Sequence, residues 1–147
     1  MYYKDRVFYE CKYFPPPGYS SIMLFGFVFT KKTETQYAGK VKYHEGFHIS
    51  QYNDCFSLGI VIGLIIMFLL LAFNVISLWM IALIGIPIFL FYLWYGANFI
   101  LQFIREKDWH AAYRKVIFER QAYALEDEWS LPCNQQTKYT SLSFLKY

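Results

Sequence analysis

Residues 55 to 104 contain no Asp, Glu, Lys or Arg, a run of fifty uncharged residues in a chain of 147. A membrane-spanning helix needs ~20 predominantly apolar residues, so the run is long enough for two. One deeply buried core is the competing reading, and a domain of this size rarely has the interior for it. The composition agrees with a membrane chain, at 56% apolar and 22% aromatic. Asn74, Val75, Ile76 and Ser77 interrupt the run and read as a tight turn. Residues 55 to 73 and a second stretch ending at Ile104 are then the arms of a helical hairpin. At ~1.5 Å per residue the second arm is longer than a ~30 Å hydrocarbon core, so its end is expected outside the bilayer. Gly85 and Pro87 are expected to kink it. Tyr92, Trp94 and Tyr95 read as an aromatic belt at the water boundary.

Charge sets the expected orientation. Lys31, Lys32, Lys40 and Lys42 precede the hairpin, and Arg105, Lys107, Arg114 and Lys115 follow it. The far turn carries no charge, so the positive-inside rule puts both ends of the hairpin at the cytoplasmic face. The net charge of +3 is small and gives no sign of nucleic acid as a partner. Cys11, Cys55 and Cys133 are odd in number and widely spaced, which supports neither a disulfide framework nor a cysteine zinc site. The first residues lack the apolar core of a secretory signal, so the internal helices are expected to drive insertion.

Seven residues before the uncharged run stands His44-Glu45-Gly46-Phe47-His48, in a stretch (37–54) that reads as a helix. Positions four apart share one helix face, so His44 and His48 can aim two imidazoles at one metal ion. Glu45 is placed to hold the attacking water and take its proton, which is the chemistry of an HExxH zinc hydrolase. A hydrogen-bonded histidine pair in an ordinary helix is the plainer reading. Two of the three histidines in the chain lie in this motif, which weighs against it.

A third ligand is offered downstream. Asp108 reads as the N-cap of a helix from Trp109 to about Glu128. On it Glu119, Ala122, Tyr123 and Glu126 share one face. Ala122 lets two helices approach while Glu119 reaches across, so Glu119 is favoured as the third ligand over an exposed helix-stabilising role. Asp54 lies six residues after His48, a spacing one zinc-protease class uses, but that class needs a glycine turn where this chain has Gln51. Asp54 is therefore a minor candidate. His110, nine residues before Glu119, reads as an interfacial or core residue. Residues 6–13 alternate as a strand, Pro15-Pro16-Pro17-Gly18 turns the chain, and residues 21–30 read as a second strand pairing with the first. Residues 31–36 are a polar link, and 130–147 a loop or tail.

HExxH on one helix with ExxA on a later one resembles the zinc metallopeptidases whose third ligand is a glutamate. The membrane block between the motifs is similar to their integral-membrane branch, including the metallopeptidase domains of antibiotic-sensing receptors. Residues 112–123, with Tyr92 to Tyr95 and the His44 motif, also resemble small bacterial and phage-borne membrane proteins of similar length. The resemblance spans about residues 5–128. It implies a mainly α membrane fold: a transmembrane hairpin (55–104) plus a small zincin-like unit. That unit comprises an N-terminal β-hairpin (6–30), the HExxH helix (37–54) and the ExxA helix (108–128), with a tail at 129–147, all in one domain. It further implies Zn2+ held by His44, His48 and Glu119, with Glu45 as general base and acid. Tyr123, Tyr113 or Arg120 would be the oxyanion donor, and peptide or protein the substrate, at a bacterial inner membrane. In such enzymes an edge strand beside the zinc often holds the substrate backbone; a hairpin lying on the membrane surface is the equal alternative here. The competing functions are a non-catalytic zinc-stabilised regulator or binding protein, and a small pore-forming or lysis-type hairpin.

Overall fold

The computed structural model describes residues 8–17, 19–31, 39–75 and 77–147. The expected strand start at 6 and 7, residues 32–36 of the polar link, the helix start at 37 and 38, Gly18 and Ile76 lie outside them. Three short strands, β1 (Phe8–Glu10), β2 (Ser21–Leu24) and β3 (Phe27–Thr30), form one sheet in the order β1-β3-β2. The hairpin is present, but it lies wholly within 21–30. β2 and β3 pair antiparallel, and β1 joins β3 in parallel. The turn is Phe25-Gly26, with φ of 52° and 82°. Two left-handed residues make the type I′ turn whose twist suits paired strands. Phe25 has no glycine freedom, and tertiary contacts hold it there: its N–H donates to the Tyr92 hydroxyl and its ring meets Phe89 and Tyr92.

Helix α1 (Gly39–Ala72) is a single helix of 34 residues that contains both the motif stretch and the first apolar arm. At ~1.5 Å per residue it is about 51 Å long, well beyond a ~30 Å hydrocarbon core. It ends in a Schellman motif. Asn74 is left-handed, Asn74 N–H donates to Leu71 O, and Val75 N–H donates to Leu70 O. A 3-10 stretch (Leu78–Ile84) then leads into α2 (Gly85–Glu106). Pro87 falls in the first turn of α2, where proline is tolerated, so the change from 3-10 to α replaces the expected kink within one helix. The two helices pack closely at Gly59, where a methyl group would sit 2.5 Å from Pro87 Cα.

Both helices are long and apolar enough to cross a membrane (Gly39–Ala72 and Met80–Glu106), and the apolar window is 17% buried in the first and 6% in the second. That low burial separates them from the core helices of a water-soluble domain. On α1, Ile60, Val61, Leu64, Ile65, Met67, Phe68, Leu69 and Leu71 face outward, eight large apolar side chains. Leaving each in water forgoes about 1.5–3 kcal/mol, together comparable to or larger than the ~5–15 kcal/mol by which a domain is stable. Lipid is the surrounding that removes this cost, and the protein is an integral membrane protein.

After α2 the chain runs through α3 (Trp109–Lys115) and α4 (Ile117–Leu125), then a 3-10 turn (Glu126–Ser130). Asp108 caps α3 as expected, accepting from Ala111 N–H at 2.7 Å. The expected single helix is broken at Val116, whose ψ is 132°. The break is stabilised because Ile117 N–H, without a helical acceptor there, donates to Asn98 Oδ1 of α2. The C-terminal residues end in another 3-10 turn (Ser143–Lys146) that buries Phe144 against Phe118 and Trp94. The main core joins Met23 and Val28 of the sheet, Ile49 and Tyr52 of α1, Phe91 of α2, Phe118 of α4 and Phe144. A smaller cluster of Phe47, Ala122 and Leu125 brings α1 and α4 together beside the motif. Tyr92, Trp94 and Tyr95 are half-buried and pack within the protein, so they serve this core and the site more than an outer belt.

Candidate metal centre

The buried end of α1 places His44 and His48 on one face, and Glu119 of α4 reaches the same point. The three lie within 4.8 Å of one another, and all are buried, Glu119 to 2% exposure. His44 Nε2 is 3.2 Å from His48 Nε2 and 3.4 Å from Glu119 Oε2, and His48 Nε2 is 3.4 Å from Glu119 Oε1. A tetrahedral ion with ligands at ~2.0–2.1 Å sets those ligands about 3.3–3.4 Å apart. The two imidazole nitrogens stand at such a spacing, and the Glu119 carboxylate turns one oxygen toward each of them, so one donor atom from each residue lies within 4.8 Å of the others.

The outer contacts agree. His44 Nδ1 meets Glu126 Oε2 at 2.9 Å, and His48 Nδ1 meets Gln51 Oε1 at 2.8 Å. Both Nδ1 atoms thus face acceptors and carry the ring proton, which turns both Nε2 lone pairs inward. Glu119 Oε2 is buried and makes no hydrogen bond among the described residues, while Oε1 accepts from the Tyr95 hydroxyl at 2.8 Å. Lone pairs and a carboxylate facing one point need a positive charge between them. A proton on one imidazole is one way to supply it, and a divalent cation that displaces the proton is the other. The residues present fit Zn2+: His44, His48 and Glu119 form an HExxH-plus-glutamate site. Burial alone would raise the Glu119 carboxyl, but the two imidazoles beside it reverse this and hold its pKa below the usual carboxylate range.

Glu45 stands next to the first ligand, and its Oε1 accepts from Ser21 Oγ at 2.6 Å. His44 and Glu45 line an open cleft of about 570 Å³ between the start of β2 and α3. Tyr113 and Tyr123 line it too. Tyr123 packs its ring 4.8 Å from that of His44, and the Arg114 guanidinium lies 5.4 Å from the Tyr123 ring centre. Burial, then the Glu119 charge, raises both tyrosine hydroxyls above their ordinary pKa, Arg114 partly opposing this at Tyr123. Arg120 is exposed and is not among the cleft-lining residues. His110 is exposed at the cleft, outside the ligand cluster and outside the core. Asp54 is turned to the C-terminal segment instead, accepting from the Tyr139 hydroxyl, Ser141 Oγ and Leu142 N–H at 2.6–3.0 Å.

The shared face Glu119-Ala122-Tyr123-Glu126 meets α1 as its spacing requires. Ser21, Gln51, Tyr95 and Arg114 also serve the site, beyond the residues expected there. Ser21 and Tyr95 are distant in sequence from the motif they serve, and only Gln51, three residues after His48, had a local signal. No protein-family model, curated protein or solved structure matches this chain. Geometry therefore carries the assignment: this is a metalloprotease-like zinc site at the buried end of a membrane-spanning helix.

Proposed function

We propose that this protein is a peptidase that hydrolyses peptide or protein substrates at the membrane surface, with Glu45 as its catalytic residue. The observation that carries the reading is the joint placement of two imidazoles and a buried carboxylate, one donor atom of each within 4.8 Å of the others, with Glu45 beside them on the wall of an open cleft. When bound, Zn2+ supplies Lewis acidity that polarises the scissile carbonyl and lowers the pKa of water. Glu45 takes the proton of the attacking water and hands it to the leaving amine. Ser21 holds the Glu45 carboxylate in place by its hydrogen bond. Tyr123 or Tyr113 donates to the oxyanion, and their raised pKa values keep both hydroxyls protonated through neutral and mildly alkaline pH.

The β2 edge suits the substrate backbone. Ser20 O accepts from Lys31 N–H, so the two-residue alternation turns the N–H and C=O of Ser21 and Met23 away from β3. An extended peptide added there would run past Glu45. The site lies close to the bilayer: Asp54, the last charge before the apolar run, is about 27 Å along α1 from Ala72, near the thickness of a hydrocarbon core. His48 is six residues, or about 9 Å, further out. The lysines and arginines flanking the hairpin support a cytoplasmic site.

The test is hydrolysis of fluorescein-labelled casein by detergent-purified protein, with zinc measured in each variant. Glu45→Gln is expected to lose activity by about 10²–10⁴-fold with zinc retained. Loss of the working oxyanion donor, in Tyr123→Phe or Tyr113→Phe, is expected to lower kcat by about 10²-fold. Wild-type protein that holds zinc but cleaves nothing, with Glu45→Gln unchanged and His44→Ala less stable, would give the metal a structural role and refute the peptidase.

A further inference from the structure

Two glutamines are almost fully enclosed, Gln51 at 0% exposure and Gln121 at 1%. Burying an amide is costly unless each of its polar atoms finds a partner. Gln51 Nε2 lies 3.0 Å from the carbonyl oxygen of Phe118. A carbonyl only accepts, so the atom facing it is the amide nitrogen, and the orientation of Gln51 is fixed. Its other atom, Oε1, must then face His48 Nδ1, at 2.8 Å. Gln51 Nε2 also donates to Gln121 Oε1 at 2.9 Å, and Gln121 Nε2 donates to Ser143 Oγ at 2.7 Å. Every bond in the chain from His48 to Ser143 runs in one direction, so each polarises the next.

We propose that Gln51, backed by Gln121 and Ser143, is the positioning residue of the metal centre. It fixes His48 as the Nδ1–H tautomer and so keeps the Nε2 lone pair aimed at the ion. The inference rests on the metal reading above, though its main readout does not require metal. The anchor of Gln51 is the backbone of Phe118, the residue before the ligand Glu119. One amide therefore sets the ring of one ligand and the distance to the helix that carries another. The relay ends in the C-terminal segment, which Asp54 of α1 grips through its three hydrogen bonds one turn beyond Gln51. Residues 139–143, which read as tail, thus buttress the site. His44 has an independent orienter in Glu126, which makes it an internal control.

The experiment is two-bond 15N correlation NMR of 15N-histidine-labelled protein in detergent micelles, at an alkaline pH where His48 is neutral, with metal removed and then with zinc titrated in. The neutral tautomers have distinct 15N patterns, and the chain has only three histidines to assign. Wild type is expected to show His48 protonated at Nδ1. In Gln51→Met, a close match in shape without an acceptor, His48 should shift toward the Nε2–H form while His44 keeps its pattern. Zinc affinity should fall about 10–100-fold. Gln51→Glu restores an oxygen acceptor for His48, though not the donor to Phe118, and should recover the Nδ1–H pattern. Gln121→Met, which leaves the Phe118 anchor, should produce the same His48 change in weaker form. An unaltered His48 tautomer and zinc affinity in Gln51→Met would overturn the proposal. So would equal disturbance of His44 and His48 in both methionine variants. A wild type that binds no zinc, but whose His48 tautomer follows Gln51, would leave the positioning role standing and remove the metal reading.

Discussion

The two halves of α1 keep opposite rules about polarity. Residues 44–52 are enclosed by protein, yet five of the nine, His44, Glu45, His48, Ser50 and Gln51, are polar. Further along, Ile60, Leu64, Ile65 and Phe68 are apolar and point outward. A water-soluble helix would show the reverse. The inner half tolerates polar side chains because partners surround them: Glu126, Gln121, Ser21 and the Phe118 carbonyl. The outer half has no such partners and needs none in hydrocarbon. One unbroken helix thus serves as membrane anchor along one stretch and holds two metal ligands along the other.

Four substitutions break or sharpen this contrast, in decreasing order of effect. Leu64→Arg puts a charge on the outward face of the apolar half and should cost about 3 kcal/mol of insertion, visible as protein lost from the membrane fraction in a glycosylation-tag assay. Normal insertion would mean that this face does not meet lipid. At the boundary between the halves, Asp54→Ala removes one acceptor from three donors and should destabilise by about 1.5–3 kcal/mol, read as a lower Tm in detergent. Protease nicking near Tyr139 should rise in parallel.

Gly59→Ala places a methyl group against the Pro87 backbone, where the hairpin arms touch. The overpacking should lower stability by about 1–3 kcal/mol while zinc stoichiometry in the folded fraction is unchanged. Loss of zinc at low temperature would show that the two halves are not separable. Ser21→Ala acts only on the inner half. Freeing Glu45 should cost about 0.5–1.5 kcal/mol and slow casein hydrolysis several-fold, with zinc content intact.

Much of this contrast was legible in the sequence. The uncharged run marked the outer half, and the four-residue spacing of His44 and His48 marked the inner one, because both are local patterns. Glu119 was legible for a related reason, since Ala122, Tyr123 and Glu126 share its face and could be read together. What stayed hidden was set by tertiary contact. The parallel pairing of β1 with β3 leaves no mark on the alternation of residues 8–10. The break at Val116 depends on Asn98 of another helix offering its side-chain oxygen to Ile117. Tyr92 and Tyr95 have the composition of a membrane belt, and only the packing of α2 against the sheet and α4 turns their hydroxyls to Phe25 and Glu119.

The central claim is that the inner half of α1 and α4 together hold a zinc ion, and elemental analysis of detergent-purified protein, prepared without chelator, tests it most directly. The wild type should contain close to one zinc per chain, and His48→Ala and Glu119→Ala should both lose it while remaining folded by circular dichroism. A wild type without metal, or Glu119→Ala that keeps a full equivalent, would contradict the account.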